Sequence, residues 1–372
     1  MKTVFLHIGT AKTGTTSLQR FLKINEKVLN SKGFTYPMMP FTFKEAADER
    51  NAHFLTMWDT PDKQNRWDKG FSVVKDAISS YDNVILSDEQ LWIVQPKKGF
   101  WEKTLSAFKN AGADNIKVIV YLRPQDQMAE SHWNQRVKGR LKLSETFDEF
   151  LNGGGYNFFP LDYGKTVDWV AEHAGVHNLT VRVFEQQQFT GGSLHADFLN
   201  VLGLGLTEEY KEPAHVSNVR LPDNVVEIKR LINSIDSYQS TGIPNFYWDA
   251  IRKAYGLGSM KELPQHKAGM FSPEERQKYM DQFAGSNAHV AKEYLGRPDG
   301  TLFYGELSSL PKWEPNEREM LMDIIRVFAG ADVYLYKRQE ELYQQVNEMY
   351  NSLPFRAYRK LRGIKDTSEE EA

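Results

Sequence analysis

Four short apolar runs, rich in β-branched residues, punctuate the first half of the chain: Thr3–Ile8, Asn83–Leu86, Ile116–Leu122 and Leu179–Phe184. None alternates strictly with polar residues, as a strand with one wet face would. Stretches of helical spacing lie between them, and this alternation predicts a parallel sheet covered by helices. Beyond about residue 200 no further run reads as a strand. Helices are predicted instead over Asp223–Ser234, Pro273–Ala284, Ala288–Tyr294 and Asn316–Tyr350. In the last, Asn316 is placed as the N-cap. Met320, Ile324, Val327 and Phe328 then recur at helical spacing. Gly330 is where a break into two helices is expected. The pattern as a whole predicts an α/β fold, a central parallel sheet flanked by helices, with a helical C-terminal extension. The α/β part is placed over residues 1–270, with a soft boundary, the helical part over 271–365, and an acidic tail, expected to be disordered, over 366–372.

Composition narrows the function. The 372 residues carry 46 Lys+Arg against 49 Asp+Glu, a formal net charge of −3. A nucleic-acid binder is normally basic, so none is expected here as a partner. The chain has no cysteine, which excludes disulfides, iron–sulfur clusters, thiolate zinc sites and a Cys nucleophile. Val4-Phe5-Leu6 and Val118–Leu122 are the longest apolar runs, far short of the ~20 residues of a membrane span. The opening Met1–Gly9 reads as a strand and not a signal peptide, because polar Thr10, Lys12 and Thr13 follow at once. A cytoplasmic protein is expected. His7, inside the first strand, is expected to be buried and satisfied, and the other histidines show no metal-ligand spacing. Asn178-Leu179-Thr180 matches a glycosylation sequon but opens a strand predicted to be buried, so it is discounted.

The most informative stretch is Gly9-Thr10-Ala11-Lys12-Thr13-Gly14-Thr15-Thr16-Ser17. It follows the first strand directly and opens a helix. Backbone N–H groups at a helix N-terminus lack intrahelical partners, and the helix dipole adds positive potential. Gly9 and Gly14 permit tight turning and close approach to phosphate oxygens. Thr15, Thr16 and Ser17 add hydroxyl donors. The loop is not a Walker A motif, in which the lysine follows the second glycine. Here Thr15 stands in that place, and the lysine lies two residues before Gly14. No Walker B acid follows a strand, so a magnesium–nucleotide machine is not expected. At the third strand's end stands Arg123-Pro124, with Ser131 about two turns into the next helix. An arginine there can grip a phosphate dianion in bidentate fashion. Asn134, Gln135 and Lys138 continue a polar helix face. Taken alone, Arg123 would more readily be read as pairing with a surface carboxylate.

Lys12-Thr13-Gly14-Thr15-Thr16 is similar to the 5′-phosphosulfate loop, K-x-G-T-[ST], of the sulfotransferases. Arg123 with Ser131 resembles that family's 3′-phosphate motif, although Pro124 follows the arginine directly where many relatives have Asp-Pro or Arg-Gln. Leu86–Leu91, Val216-Ser217-Asn218 and Ser286–Leu295 look like segments of bacterial sulfotransferase-like proteins. The resemblance implies a P-loop-type fold, 3′-phosphoadenosine-5′-phosphosulfate (PAPS) as donor and the bisphosphate (PAP) as product, without a metal. It implies that Gly9, Thr10, Lys12, Thr13, Gly14, Thr15, Thr16, Ser17, Arg123 and Ser131 hold the nucleotide. Lys12 would stabilise charge growing on the leaving phosphate oxygen.

An attacking hydroxyl must lose its proton to a base, which across sulfotransferases is a Glu or a His. Two candidates follow from position. Glu89 lies just past the carboxyl end of the second predicted strand, where ligands of open α/β sheets bind. His53 lies between the first two. Glu89 is the first choice. The aromatic stretches Phe34–Phe43 and Tyr156–Phe159 are candidates for an acceptor cleft, since ring faces suit sugars and hydrophobic alcohols. The expected acceptor is a carbohydrate hydroxyl on a surface polysaccharide or its precursor, an expectation that comes from the resemblance. Leu353–Lys365 carries Arg356, Arg359, Lys360, Arg362 and Lys365 among Phe355, Tyr358, Leu361 and Ile364, a pattern suited to peripheral contact with an anionic membrane face. Two other readings compete: a non-catalytic nucleotide-binding module and an atypical small-molecule kinase.

Overall fold

The computed structural model describes residues 1–43, 49–139, 141–154, 156, 159–213, 223–240 and 268–362. Val216-Ser217-Asn218, Asn157, Phe158, Ile364, Lys365 and the acidic tail lie outside them. Five strands form a single sheet: β1 (Thr3–His7), β2 (Phe34–Thr35), β3 (Asn83–Ser87), β4 (Asn115–Leu122) and β5 (Leu179–Val183), in the order β2-β3-β1-β4-β5. All pairings are parallel. Residues 3–7 of β1 pair with 83–87 on one side and 115–119 on the other. Both faces of β1 are covered, which is why Val4 and Leu6 are fully buried and its run does not alternate.

The strand order indicates where a ligand site would arise. The chain leaves β1, builds β2 and β3 on one side, then crosses to β4 on the other. The crevice beyond the carboxyl ends of strands at such a reversal is the natural binding place of an open α/β sheet. It gathers the segments after β1, β3 and β4, the three that contain Lys12, Glu89 and Arg123.

The main helices are α1 (Thr15–Ile24), α2 (Gln64–Ser80), α3 (Phe100–Asn110), α4 (Gln125–Lys138), α5 (Tyr163–Ala174), α6 (Leu194–Val201), α7 (Asp223–Asn233), α8 (Pro273–Asp281), α9 (Ala284–Leu295), α10 (Glu317–Asn351) and α11 (Leu353–Arg362). On one face Leu18, Phe21 and Leu22 of α1 pack with Phe34, Ile85, Ile119 and Tyr121 of the sheet and Phe198 and Leu199 of α6. At about 1.5–3 kcal/mol for each fully buried large apolar side chain, this layer fixes α1 and α6 to the sheet.

The chain divides into two compact units. The first comprises Met1–Trp133, Glu145–Val216 and Ala268–Lys312 and contains the sheet. The second comprises Asn134–Ser144, Ser217–Lys267 and Trp313–Ala372. In the second unit, Ile228 and Ile232 of α7 pack with Met320 and Ile324 of α10. Asn233 donates from Nδ2 to the backbone oxygens of Val137 and Leu143, at 2.9 and 2.8 Å.

Two features depart from the sequence pattern. Strand β2 spans two residues and lies at the sheet edge, too short to register as a run. Helix α10 passes through Gly330 without a break. Gly330, Val327 and Ala331 are all buried, and that packing outweighs the roughly 1 kcal/mol that one glycine costs a helix interior. Asn316 does cap α10, its Oδ1 accepting from the Glu319 N–H at 3.1 Å. Among the described residues, no helix is long and apolar enough to cross a membrane.

Candidate active site

The loop from β1 to α1 is pinned to β4. Ile8 and Thr10 donate N–H to the backbone oxygens of Ile119 and Tyr121 at 3.0 and 2.9 Å, and Tyr121 donates back to Gly9 at 2.7 Å. The Thr10 hydroxyl bonds the Tyr121 oxygen at 3.1 Å, and Thr13 Oγ1 bonds the Thr10 oxygen at 2.6 Å. Those two hydroxyls therefore hold the turn together. Gly14 precedes α1 with φ 71°, a left-handed conformation, and supplies no side-chain cap. A Cβ there would stand 2.6 Å from Leu194 Cδ2. Among the described residues, nothing accepts from the N–H groups of Thr15, Thr16 and Ser17. The first turn is an uncapped cluster of donors at the positive end of a helix, the elements of an anion site.

Two cations meet at this turn. Lys12 itself has φ 65°, unusual for a residue with a Cβ. The conformation is held by Arg123, whose Nη1 donates to the Lys12 backbone oxygen at 2.8 Å. Arg123 also reaches Gln127 Oε1 at 3.3 Å and lies 5.9 Å from the Phe184 ring centre. Burial pushes the Lys12 ammonium down to about 8, with Arg123 adding to the effect and Glu89 opposing it. Burial also lowers the Arg123 guanidinium, which stays charged regardless. No described carboxylate forms an ion pair with either. Two half-buried cations beside uncapped N–H groups form a pocket of positive potential that a multiply charged anion would neutralise. Ser131 is half-buried in α4, two turns beyond Arg123, and its hydroxyl makes no hydrogen bond to a described residue.

On the other side of β1 stands a polar network. Asp88 is fully buried and accepts from Arg50 Nε at 2.9 Å, Arg50 Nη2 at 2.6 Å, the Gln90 N–H at 2.7 Å and His53 Nδ1 at 2.9 Å. Burial works against its charge, but Arg50 and then His53 hold its carboxyl below the usual carboxylate range. Glu89 lies against Gly9: a Cβ on Gly9 would come 3.1 Å from the Glu89 Cα. Its Oε2 accepts from Gln19 Nε2 at 3.2 Å, and its Oε1 lies 3.4 Å from Arg50 Nη1. Gln19 also donates to Ser87 Oγ, which bonds His7 Nδ1 at 2.8 Å. Burial pushes His7 down to about 4, so it stays neutral. Its Nδ1 is satisfied, whereas its Nε2 is buried without a partner among the described residues.

The structure thus brings Gly9 through Ser17, Glu89 and Arg123 to one edge of the sheet, with His53 tied to it through Asp88. Asp88 and Arg50 link the two candidate bases, and sequence reading assigned neither a role. Arg50, three residues before His53, and Asp88, beside Glu89, were the available signals. Ser17 bonds through its hydroxyl to His195 Nε2 at 3.1 Å, and His195 Nδ1 to Glu212 Oε2 at 2.7 Å. Neither His195 nor Glu212 stood out in the sequence. Of the aromatic stretches, Phe34 and Tyr36 are core residues. Phe43 packs edge-on to His53 at 4.6 Å. Tyr156 and Phe159 are buried around His132.

No family model matches the chain. An uncharacterized protein of Archaeoglobus fulgidus is 29% identical over 247 residues, 63% of this chain and 63% of that protein. The chain therefore matches less than two thirds of its relative's length. Among solved structures, a sulfotransferase from Alicyclobacillus acidocaldarius shares 16% identity, with 79% of this chain and 95% of that chain covered and a TM-score of 0.45.

Proposed function

We propose that this chain is a sulfotransferase that moves the sulfuryl group of PAPS to a hydroxyl acceptor, a carbohydrate on a surface polysaccharide or its precursor. The observation that carries the reading is the pairing of Lys12 and Arg123 at an uncapped helix N-terminus, with no described carboxylate in an ion pair with either. The N–H groups of Thr15, Thr16 and Ser17 would hold the 5′-phosphate, and Arg123 with Ser131 the 3′-phosphate. As the acceptor oxygen bonds sulfur, the bond from sulfur to the phosphate oxygen breaks and that oxygen keeps the electron pair. The Lys12 ammonium beside it offsets the charge.

The acceptor proton goes to a base. Glu89 fits that role best, because it abuts Gly9 and its charge is felt at Lys12. His53 is the second choice: its Nδ1 is engaged by Asp88, leaving Nε2 as the basic nitrogen. The reading extends to the C-terminus. Arg356, Lys360 and Arg362 of α11 are exposed, while Arg359 turns back onto the Tyr350 ring at 3.7 Å. The three exposed cations suit a peripheral contact with anionic lipid, where a lipid-linked glycan precursor would be met.

Calorimetry with PAP against magnesium–ATP tests the donor. Preference for PAP supports the proposal, and preference for ATP favours a kinase. Screening sugars, phenols and amines with sulfur-labelled PAPS tests the acceptor; transfer confined to phenols or amines contradicts the carbohydrate assignment. No transfer to any acceptor, with PAP still bound, favours a binding module.

A further inference from the structure

The Ser17 hydroxyl belongs to the uncapped first turn of α1, yet its partner comes from another helix. His195, second residue of α6, sets Nε2 3.1 Å from Ser17 Oγ and Nδ1 2.7 Å from Glu212 Oε2. Phe21, one turn beyond Ser17, lies flat on the imidazole at 4.3 Å with the ring planes 7° apart. That stacking fixes the ring's plane. The preceding residue, Leu194, is the side chain that a Cβ on Gly14 would strike. The start of α6 therefore packs on the phosphate-binding turn at two successive residues. His195 is only 8% exposed, whereas Ser17 is open to solvent.

The hydrogen-bond chain has a definite proton logic. An ionised carboxylate only accepts, so Nδ1 carries a proton toward Glu212. In the neutral ring Nε2 holds a lone pair, and the Ser17 hydroxyl must donate to it. Ser17 then turns its own lone pairs toward the turn, where they oppose an anion. In the imidazolium, Nε2–H donates to Ser17 Oγ and frees the hydroxyl proton for an anionic oxygen. One proton on the ring thus reverses what Ser17 offers.

We infer that His195 and Glu212 are positioning residues that link nucleotide binding to a proton, with Ser17 donating to a ligand phosphate oxygen when His195 is protonated. This rests on the donor site proposed above. The groups facing His195 are Ser17 and Phe21 from α1 and Glu212 from the segment after α6. Tyr210 is stacked on Phe21 at 5.7 Å, and Tyr36 and Tyr121 are further titratable side chains of that layer. Lys12, at the same turn, is pushed down to about 8 by burial.

The test is titration of PAP into wild type, His195→Gln and Glu212→Gln between about pH 5.5 and 8.5. The phosphates and Lys12 titrate alike in all three proteins, so the ratio of variant to wild-type Kd isolates the relay. For His195→Gln that ratio is expected to be about tenfold at the acid end, the difference between a charge-assisted and a neutral hydrogen bond, and to fall toward one as the pH rises. Glu212→Gln is expected to move the wild-type step to lower pH. Glu212 is largely exposed, so that variant remains informative if His195→Gln does not fold. Ratios that stay constant with pH in both variants overturn the inference and leave the donor reading intact. A wild type that ignores PAP at every pH overturns the donor reading and this inference with it.

Discussion

Replacing Lys12 by Met separates function from stability in a way that few other substitutions in this chain would. The methionine keeps most of the stem and removes the ammonium. In the fold the ammonium sits at about 8 against an ordinary 10.5, first through burial and then through Arg123. At about 1.4 kcal/mol per pH unit, the charged form is held at a cost of up to about 3 kcal/mol. The folded value lies below the unfolded one, so at pH 7 the lysine is charged in both states and the whole penalty is present. It fades only as pH rises from 8 toward the unfolded value. Lys12 is only half-buried, and screening reduces the gain on removal to about 1–2 kcal/mol. Thermal unfolding of Lys12→Met should therefore rise by about 2–4 °C per kcal/mol recovered. Sulfur transfer from PAPS should fall about 10²–10³-fold, the usual loss when one preorganised charge-stabilising group is removed. A variant that transfers sulfur at the wild-type rate would refute the role given to Lys12. So would one that unfolds at lower temperature while binding PAP normally, because the lysine would then be structural.

The remaining predictions concern the groups around that lysine. Glu89→Gln should lower turnover about 10²–10⁴-fold with little change in PAP affinity, as loss of a general base does; a Glu89→Gln enzyme at the wild-type rate beside an inactive His53→Ala would move the role to His53. Gly14→Ala should weaken PAP binding and destabilise the fold, since its φ is 71° and the new Cβ would meet Leu194 at 2.6 Å; unchanged affinity and melting temperature would mean that the turn tolerates a side chain. Asp88 has a depressed folded pKa, so the stability it gives is present above the unfolded carboxyl range and lost as pH falls through the folded value. Asp88→Asn should cost about 3 kcal/mol at neutral pH, the low end for breaking a buried pair, because Arg50 loses its bidentate partner and keeps only Glu89 at 3.4 Å, and should flatten the acid limb of the stability curve; a variant with the wild-type acid limb would show that other carboxylates set it.

What was legible in the sequence follows from how local each feature is. The runs at Thr3–Ile8, Asn83–Leu86, Ile116–Leu122 and Leu179–Phe184 match β1, β3, β4 and β5 within a residue or two, because a parallel strand buried on both faces must be apolar throughout. The edge strand Phe34–Thr35 makes too few contacts to impose a pattern. Gly330 reads as a helix breaker on propensity alone, and only its burial in the finished α10 reverses that. Lys12 and Gly14 stand out because the proposed anion-binding turn would need particular residue types in a fixed order after a strand, and Arg123 because it ends the strand beside it. The hydrogen bond from Arg123 to the Lys12 oxygen spans 111 residues and arises from adjacency of β1 and β4. His195 likewise meets Ser17, 178 residues before it, and Glu212 bonds the far nitrogen of the same ring. No spacing rule joins them until the sheet and α6 have packed.

The central claim is that the turn after β1 holds an adenosine nucleotide carrying both a 3′- and a 5′-phosphate, gripped by Arg123 and Lys12. It is tested most directly by calorimetric titration of the wild-type protein with PAP, with AMP and with magnesium–ATP, repeated on Arg123→Ala. The account predicts a clear preference for PAP over both others, and a preference over AMP that disappears with Arg123. Equal binding of AMP and PAP by the wild type, or tight binding of magnesium–ATP with none of PAP, would contradict it.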